Sequence, residues 1–341
     1  MRVADRSTAR NYLRYLNKAK NDYAQTNERI ASGKQFTKLS DDVAAGTRVL
    51  RTRADLSKAE TYLDNIKSAN EELTAAESAM TSINDALSAI YGQKLKAAMS
   101  EEKGESGRLA LANEISALKS EILQFANTKY STRYVFGGSN ASTSAPFTLD
   151  ASGSLLYNGV RVDDISRRPD GSFCYDDAGV EKDVVMDRNV FIDIGLGLSM
   201  NGTQTDPNTA FRVSFSGLEI LGYGKNGSGM SDNIINVLSD VEANLRTFNL
   251  TALGECHDRL GGLCDKFRAN LTDIGAKTAY LDTMEDRTKD TIDNYQSKIS
   301  SLMGVNDAEE ASRQSMNDYV LKAVIQMGAR ILPVSLMDFL R

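Results

Sequence analysis

Across residues 59–90 the apolar positions fall into two interleaved rows with a heptad repeat. One row is Ala59, Ile66, Leu73, Met80 and Leu87. The other is Tyr62, Ala69, Ala76, Ile83 and Ile90, and neither row contains a charge. Steps alternating three and four keep an apolar stripe on one side of a helix, and a stripe this narrow faces a partner helix of similar length. The pattern predicts a helix over about 41–99. A second long repeat supplies its companion. Leu260, Phe267, Ile274, Leu281, Thr288, Tyr295 and Leu302 form one row, and the more polar Cys264, Leu271, Thr278, Glu285, Ile292 and Ile299 form the other. An intrachain coiled-coil seam is expected between Ile66, Leu73, Met80, Ile83 and Leu87 on one side and Phe267, Ile274, Leu281 and Tyr295 on the other.

Shorter patterns flank this pair. Ala9, Tyr12, Leu16, Ala19, Tyr23, Thr26 and Ile30 predict a first helix ended by Ser32-Gly33, with Gly33 as a left-handed cap. Ser40 is expected to cap the long helix, with Asp41 and Asp42 on the positive end of its dipole. Ser106 is expected to cap a helix carrying Leu111, Ile115, Leu118, Ile122 and Phe125, and the short connection implies an antiparallel hairpin with the long helix. Ser231-Asp232 reads as the cap of a helix bearing Ile234, Leu238, Val241, Leu245 and Phe248. A break is expected at 251–255, around Gly254, and Gly261-Gly262 reads as a weak point in the long helix beyond it. Gly304 ends that helix. A last one runs from about 307 to 331, with Met316, Val320, Ala323 and Met327 on one face and Pro333 as its stop. The stripes of the first and last helices find no obvious partner within the chain, so another copy or a relative is expected to complete them.

Between about 131 and 230 the periodicity changes. Short apolar runs at 134–136, 155–157, 160–162, 173–175, 184–185, 190–194 and 211–215 alternate with Gly, Ser, Asn and Asp. Asn158-Gly159 and Asp170-Gly171 are hairpin signals. The fold class is therefore mainly α, a long heptad bundle built from both ends of the chain, with a compact antiparallel β domain inserted. The expected organisation is an assembly segment at 1–40, disordered in the free chain, and the N-terminal half of a helical rod at 41–130. The β domain lies at 131–230, the C-terminal half of the rod at 231–305 and a second assembly segment at 306–341.

Composition narrows the function. The 341 residues carry a net charge of −6, no Trp and one His. That balance argues against a nucleic-acid binder, and a single His argues against most acid–base catalysis. No window is long and apolar enough for a membrane span, and the polar N-terminus lacks the core of a cleavable secretory signal. Cys174, Cys256 and Cys264 do not form a disulfide framework. On one straight helix Cys256 and Cys264 would lie about 12 Å apart at a rise of ~1.5 Å per residue, and a bridge needs less than about 7 Å.

No catalytic motif stands out. Gly195-Leu196-Gly197 lacks the third glycine of a dinucleotide loop, and Cys256, His257 and Cys264 fall short of a zinc ligand set. Asp163-Asp164 and Asp176-Asp177 lack calcium-loop spacing. Arg161, Arg167 and Arg168 are interleaved with aspartates, and Arg48, Arg51 and Arg53 read as a solvated or inter-subunit face. No enzyme activity, cofactor or metal is expected.

Two stretches carry a family resemblance. Residues 28–34 (Glu-Arg-Ile-Ala-Ser-Gly-Lys) through 39–46 (Leu-Ser-Asp-Asp-Val-Ala-Ala-Gly) resemble the N-terminal signature of bacterial flagellins: a helix ending in Ser-Gly, a loop and an Asp-Asp start. Residues 133–138 (Arg-Tyr-Val-Phe-Gly-Gly), Pro146-Phe147, and the ending at 335–340 (Ser-Leu-Met-Asp-Phe-Leu) are similar to the hook-associated branch of that family. The three cysteines depart from the family's habit. The resemblance implies an extracellular adaptor at the hook–filament junction, exported unfolded through the flagellar type III channel without a cleaved signal peptide. Its implied partners are hook-associated protein 1, flagellin, further copies of itself in a ring, and a cytoplasmic export chaperone. Tyr12, Leu16, Tyr23 and Ile30 at the front, and Val320, Met327, Leu336 and Phe339 at the back, are the expected assembly residues. A filament-forming flagellin, and a secreted adhesin or effector using the β domain to bind, are the alternatives.

Overall fold

The computed structural model describes residues 2–38, 40–100, 104–138, 144–151, 153–169, 171–184, 190–202, 204–206 and 209–337. Helix α1 (Arg2–Ser32) is followed by α2 (Val43–Ala89), which runs through a π-helical turn (Ile90–Leu95) into α3 (Lys96–Met99) and then α4 (Glu105–Ala126). Short strands come next. β1 (Lys129–Tyr130) pairs with β2 (Arg133–Tyr134). β3 (Phe147–Leu149), β4 (Leu155–Tyr157) and β5 (Val160–Arg161) form one antiparallel meander, and β6 (Ile165–Arg167), β7 (Phe173–Asp177) and β8 (Val180–Asp183) another. β9 (Phe191–Ile192) pairs with β12 (Phe211–Arg212), and β10 (Met200–Asn201) with β11 (Gln204–Thr205). Helices α5 (Gly217–Leu221), α6 (Ile234–Arg246), α7 (Leu250–Met303) and α8 (Asp307–Met337) complete the chain. Two compact units result, Thr61–Lys289 and Met1–Glu60 with Asp290–Arg341.

In the unit Thr61–Lys289, α2 and α7 run antiparallel. Asn70 Nδ2 donates to Asp282 Oδ1 at 2.8 Å, Thr278 Oγ1 donates to Glu77 at 3.3 Å, and Tyr91 stacks on His257 with ring centroids 4.6 Å apart. Ile66, Leu73, Met80, Ile83, Leu87, Phe267, Ile274 and Leu281 are buried in one continuous core. Ile115 and Ile122 of α4, Leu238 and Val241 of α6, and Phe136, Phe147 and Tyr157 from the β region belong to that same core. The small sheets therefore share the helices' interior, as sheets of two or three short strands must to be stable.

The π turn explains where the heptad repeat goes after residue 90. An α-helix would bury positions 94 and 97 next. Instead Leu95 and Ala98 are fully buried, while Lys94 ion-pairs with Glu114 at 2.5 Å. The wider turn absorbs one residue, so the apolar stripe continues one position late.

Turn chemistry decides several details. Asn158 (φ 49°) and Gly159 (φ 85°) make the expected type I′ hairpin between β4 and β5. The same turn recurs at Ala178 and Gly179 between β7 and β8, where no sequence signal announced it. No strand forms at Val184, and the run at 190–194 shortens to β9.

Several expected caps and stops are corrected. Asp42, not Ser40, caps α2, its Oδ1 accepting from Ala45 N at 2.9 Å. Gly104, not Ser106, precedes α4. Asn233 caps α6, accepting from Ile235 N and Asn236 N, while Ser231 Oγ accepts from Asn233 N and donates to Asp163 Oδ1. The break expected at 251–255 lies at 247–249 instead, where Phe248 takes φ 58° and Asn249 accepts from Ala252 N. Gly261-Gly262 does not interrupt α7, because tertiary packing outweighs glycine's weak helix preference. Likewise α8 continues past Pro333 to Met337: proline's φ is helical, and the missing donor and ring clash do not stop the helix over the four residues that follow.

Candidate assembly surface of the terminal helices

The unit Met1–Glu60 with Asp290–Arg341 pairs α1 with α8, antiparallel, so the expectation that the terminal helices lack a partner within the chain is corrected. Arg29 Nη1 lies 3.5 Å from Glu310 Oε1, and Gln314 Nε2 donates to Asn27 Oδ1 at 2.7 Å. Asn317 Nδ2 donates to Thr26 Oγ1 at 2.8 Å and to the Asp22 carbonyl at 3.3 Å. Further along, Gly328 lies so close to Tyr12 that a Cβ there would fall 1.9 Å from the phenol oxygen.

The sequence makes α8 fit this way. Asp307, Glu309 and Glu310 place negative charge on its first turn. Its inward positions are Glu310, Gln314, Asn317, Leu321, Val324 and Gly328, a heptad spacing that begins polar and ends small. Glu310 is only 4% exposed and is also approached by Arg313 Nη1 at 3.6 Å. A buried carboxylate needs a partner, and here Arg29 supplies the hydrogen bond and Arg313 a second nearby positive charge.

The outward face is the reverse. Met316 is 69% exposed, Tyr319 74% and Met327 58%, with Val320 and Ile325 also exposed. Leu13 and Tyr15 stand exposed on α1. Of the expected assembly residues, Val320 and Met327 lie on this face. Tyr12, Leu16 and Tyr23 are half-buried on the stripe that includes buried Ala19 and Thr26, and Ile30 is exposed at its end. The backbone of Leu336 belongs to α8, and Phe339 lies outside the described residues. Tyr295, expected in the long seam, is half-buried.

The loops at the base of the pair are clasped by main-chain atoms. Gln35 N donates to the Met303 carbonyl at 2.7 Å, and Val305 N to that of Gly33 at 3.2 Å. Gly33 has φ 64°, the left-handed cap expected for α1, and Phe36 is buried beneath.

Residues 3–141 match the bacterial flagellin N-terminal helical region. The chain carries a flagellin N-terminal domain. No curated protein matches the chain. A structure from Vibrio parahaemolyticus, described as flagellar hook-associated, is similar at 14% identity and a TM-score of 0.59, covering 77% of this chain and 100% of its own. Flagellar hook associated protein-3 from Legionella pneumophila is similar at 15% identity and a TM-score of 0.50, covering 74% of this chain and 98% of its own. The architecture is thus flagellin-like, with small antiparallel sheets set between the helices contributed by the two ends of the chain.

Sequence reasoning missed the inward residues of the flagellin-like terminal pair. Arg29, Glu310, Gln314 and Asn317 are polar, and a search for apolar periodicity passes over them. The three cysteines are buried; desolvation raises the Cys256 thiol, and it raises that of Cys264 to about 11. Both are therefore protonated, weak nucleophiles near neutral pH. Among the described residues no cluster of His, Cys, Asp and Glu could hold a metal, and no helix is long and apolar enough to cross a membrane.

Proposed function

We propose that this chain is a structural adaptor of the bacterial flagellum, joining hook-associated protein 1 to the flagellin filament as a ring of copies at the hook–filament junction. It is exported without a cleaved signal peptide, attended in the cytoplasm by a chaperone, and works outside the cell. The observation that carries this reading is the outward face of the terminal pair. Met316, Tyr319, Val320 and Met327 point away from α1, while polar groups occupy the interior at the base of the pair. Exposed apolar patches of this kind mark interaction surfaces, and neighbouring subunits supply the missing half. The flagellin N-terminal domain and the hook-associated fold support the setting.

Loss of the protein from cells is expected to leave hooks without filaments and flagellin shed into the medium. Deleting residues 331–341 should leave the unit Thr61–Lys289 folded, by circular dichroism, and abolish filament attachment. Filaments on hooks in cells lacking the protein, or bulk polymerisation of the purified chain into filaments, would replace the adaptor with another role.

A further inference from the structure

Toward Ala19, Leu16 and Leu321 the α1/α8 interface is apolar, but at its base, between residues 26–29 and 310–317, its interior is polar where an ordinary helix pair is apolar, and that local inversion calls for a cause. A pair sealed by Leu and Ala alone slides by a heptad at little cost, because each row repeats itself. This pair does not. Sliding one heptad one way sets Glu310 beside Asp22 and Asn317 beside Ala19; sliding the other way carries both Gln314 and Asn317 beyond the end of α1 at Ser32, to the level of Lys34 and Gly33. Either shift leaves a buried carboxylate or amide without its partner. At the far end Gly328 admits the Tyr12 ring only in the observed register.

We propose that Arg29–Glu310, Asn27–Gln314 and Thr26–Asn317 form a pairing key. The key makes α8 select the α1 of its own chain, at one register, over the chemically similar terminal helices of neighbouring subunits. It discriminates by stranding polar groups in every wrong pairing rather than by strengthening the right one. The outward apolar face then remains free for neighbours. This rests on the adaptor reading and adds to it the residues that decide which helix pairs with which.

The test compares R29E, E310R, the double variant R29E/E310R, and co-expression of the two single variants, all carrying R313Q so that the arginine placed at position 310 meets no second guanidinium, in cells otherwise lacking the protein. Filaments on hooks are counted by electron microscopy, and each variant's secretion is measured. Because position 310 is buried and either single variant sets like charges against each other there, each is expected to be secreted but to reduce filament attachment at least about tenfold. The double variant regains attachment; the co-expressed singles do not, because neither chain can complete its own key. Normal attachment with either single variant, or failure of a secreted double variant, overturns the key. Rescue by the co-expressed singles overturns pairing within one chain. The adaptor reading fails separately, if cells without the protein keep their filaments.

Discussion

The two units of this chain solve the same packing problem in opposite ways. In Thr61–Lys289 the facing helices bury Leu73, Met80, Phe267 and Leu281, and the polar contacts Asn70–Asp282 and Glu77–Thr278 sit at the margin. In the terminal unit α1 and α8 bury Glu310 and Thr26 between them and leave Met316 and Met327 in solvent. The first arrangement is self-sufficient, because apolar burial stabilises it without help. The second buries Ala19 and half-buries Leu16, Leu321 and Val324, closes its base with hydrogen bonds of modest net stability, and leaves a further apolar face outward. One unit is a finished body, and the other, on the proposed adaptor reading, is finished by neighbours.

The largest test of this contrast shifts the apolar stripe. Deleting Asp85 turns every later residue of α2 by ~100°, taking Leu87 and Ile90 out of the core, and should abolish cooperative thermal unfolding. Deleting Gln93, in the π turn, removes the residue that the turn absorbs. Leu95 and Ala98 then fall back onto heptad positions, so the melting transition should stay cooperative. An equally severe loss from both deletions would refute the register argument.

Side-chain truncation comes next. Leu73→Ala should cost about 2–5 kcal/mol in chemical denaturation. Met327→Ser, on the exposed face of α8, should stay within about 0.5 kcal/mol while filament attachment is lost. Equal stability losses would erase the distinction between the units.

A smaller effect comes from the polar margin of the finished body. Lys119 Nζ donates to Glu242 Oε2 at 2.8 Å and to Ser239 Oγ at 3.2 Å, joining α4 to α6. Burial alone would raise the Glu242 carboxyl, but hydrogen bonds from Lys119 and Arg246 prevail and hold it below its usual range. A depressed carboxyl stabilises the fold above the ordinary carboxylate pKa, and that contribution is lost as pH falls through the folded value. Lys119→Met should therefore cost about 1.5–3 kcal/mol near neutral pH and flatten the acid limb of the stability–pH curve. An unchanged acid limb would count against the pair.

What could be read from the sequence divides along the same line. The long helices were legible because their apolar residues face inward, and inward apolar residues are what periodicity detects. The Asn158-Gly159 hairpin was legible because both residues accept positive φ. Ala178 in the same conformation was not, since alanine rarely takes it and only the pull of the flanking strands puts it there. Phe248 hides the α6–α7 break for the same reason. On α8 the apolar face at Met316, Val320 and Met327 was visible, but its direction was not. The pairing of Glu310, Gln314 and Asn317 with α1 depends on residues at the opposite end of the chain.

The clasp between the loops at Gly33–Gln35 and Met303–Val305 is made by peptide groups rather than side chains. Such a joint is blind to spelling but not to length. Lys34 or Gln35 can be exchanged for most residues other than proline without removing either bond, whereas one inserted residue in either loop puts donor and acceptor out of step. At this junction, drift in the text costs little and a change in the count costs the joint, so two chains sharing few letters can keep the same knee.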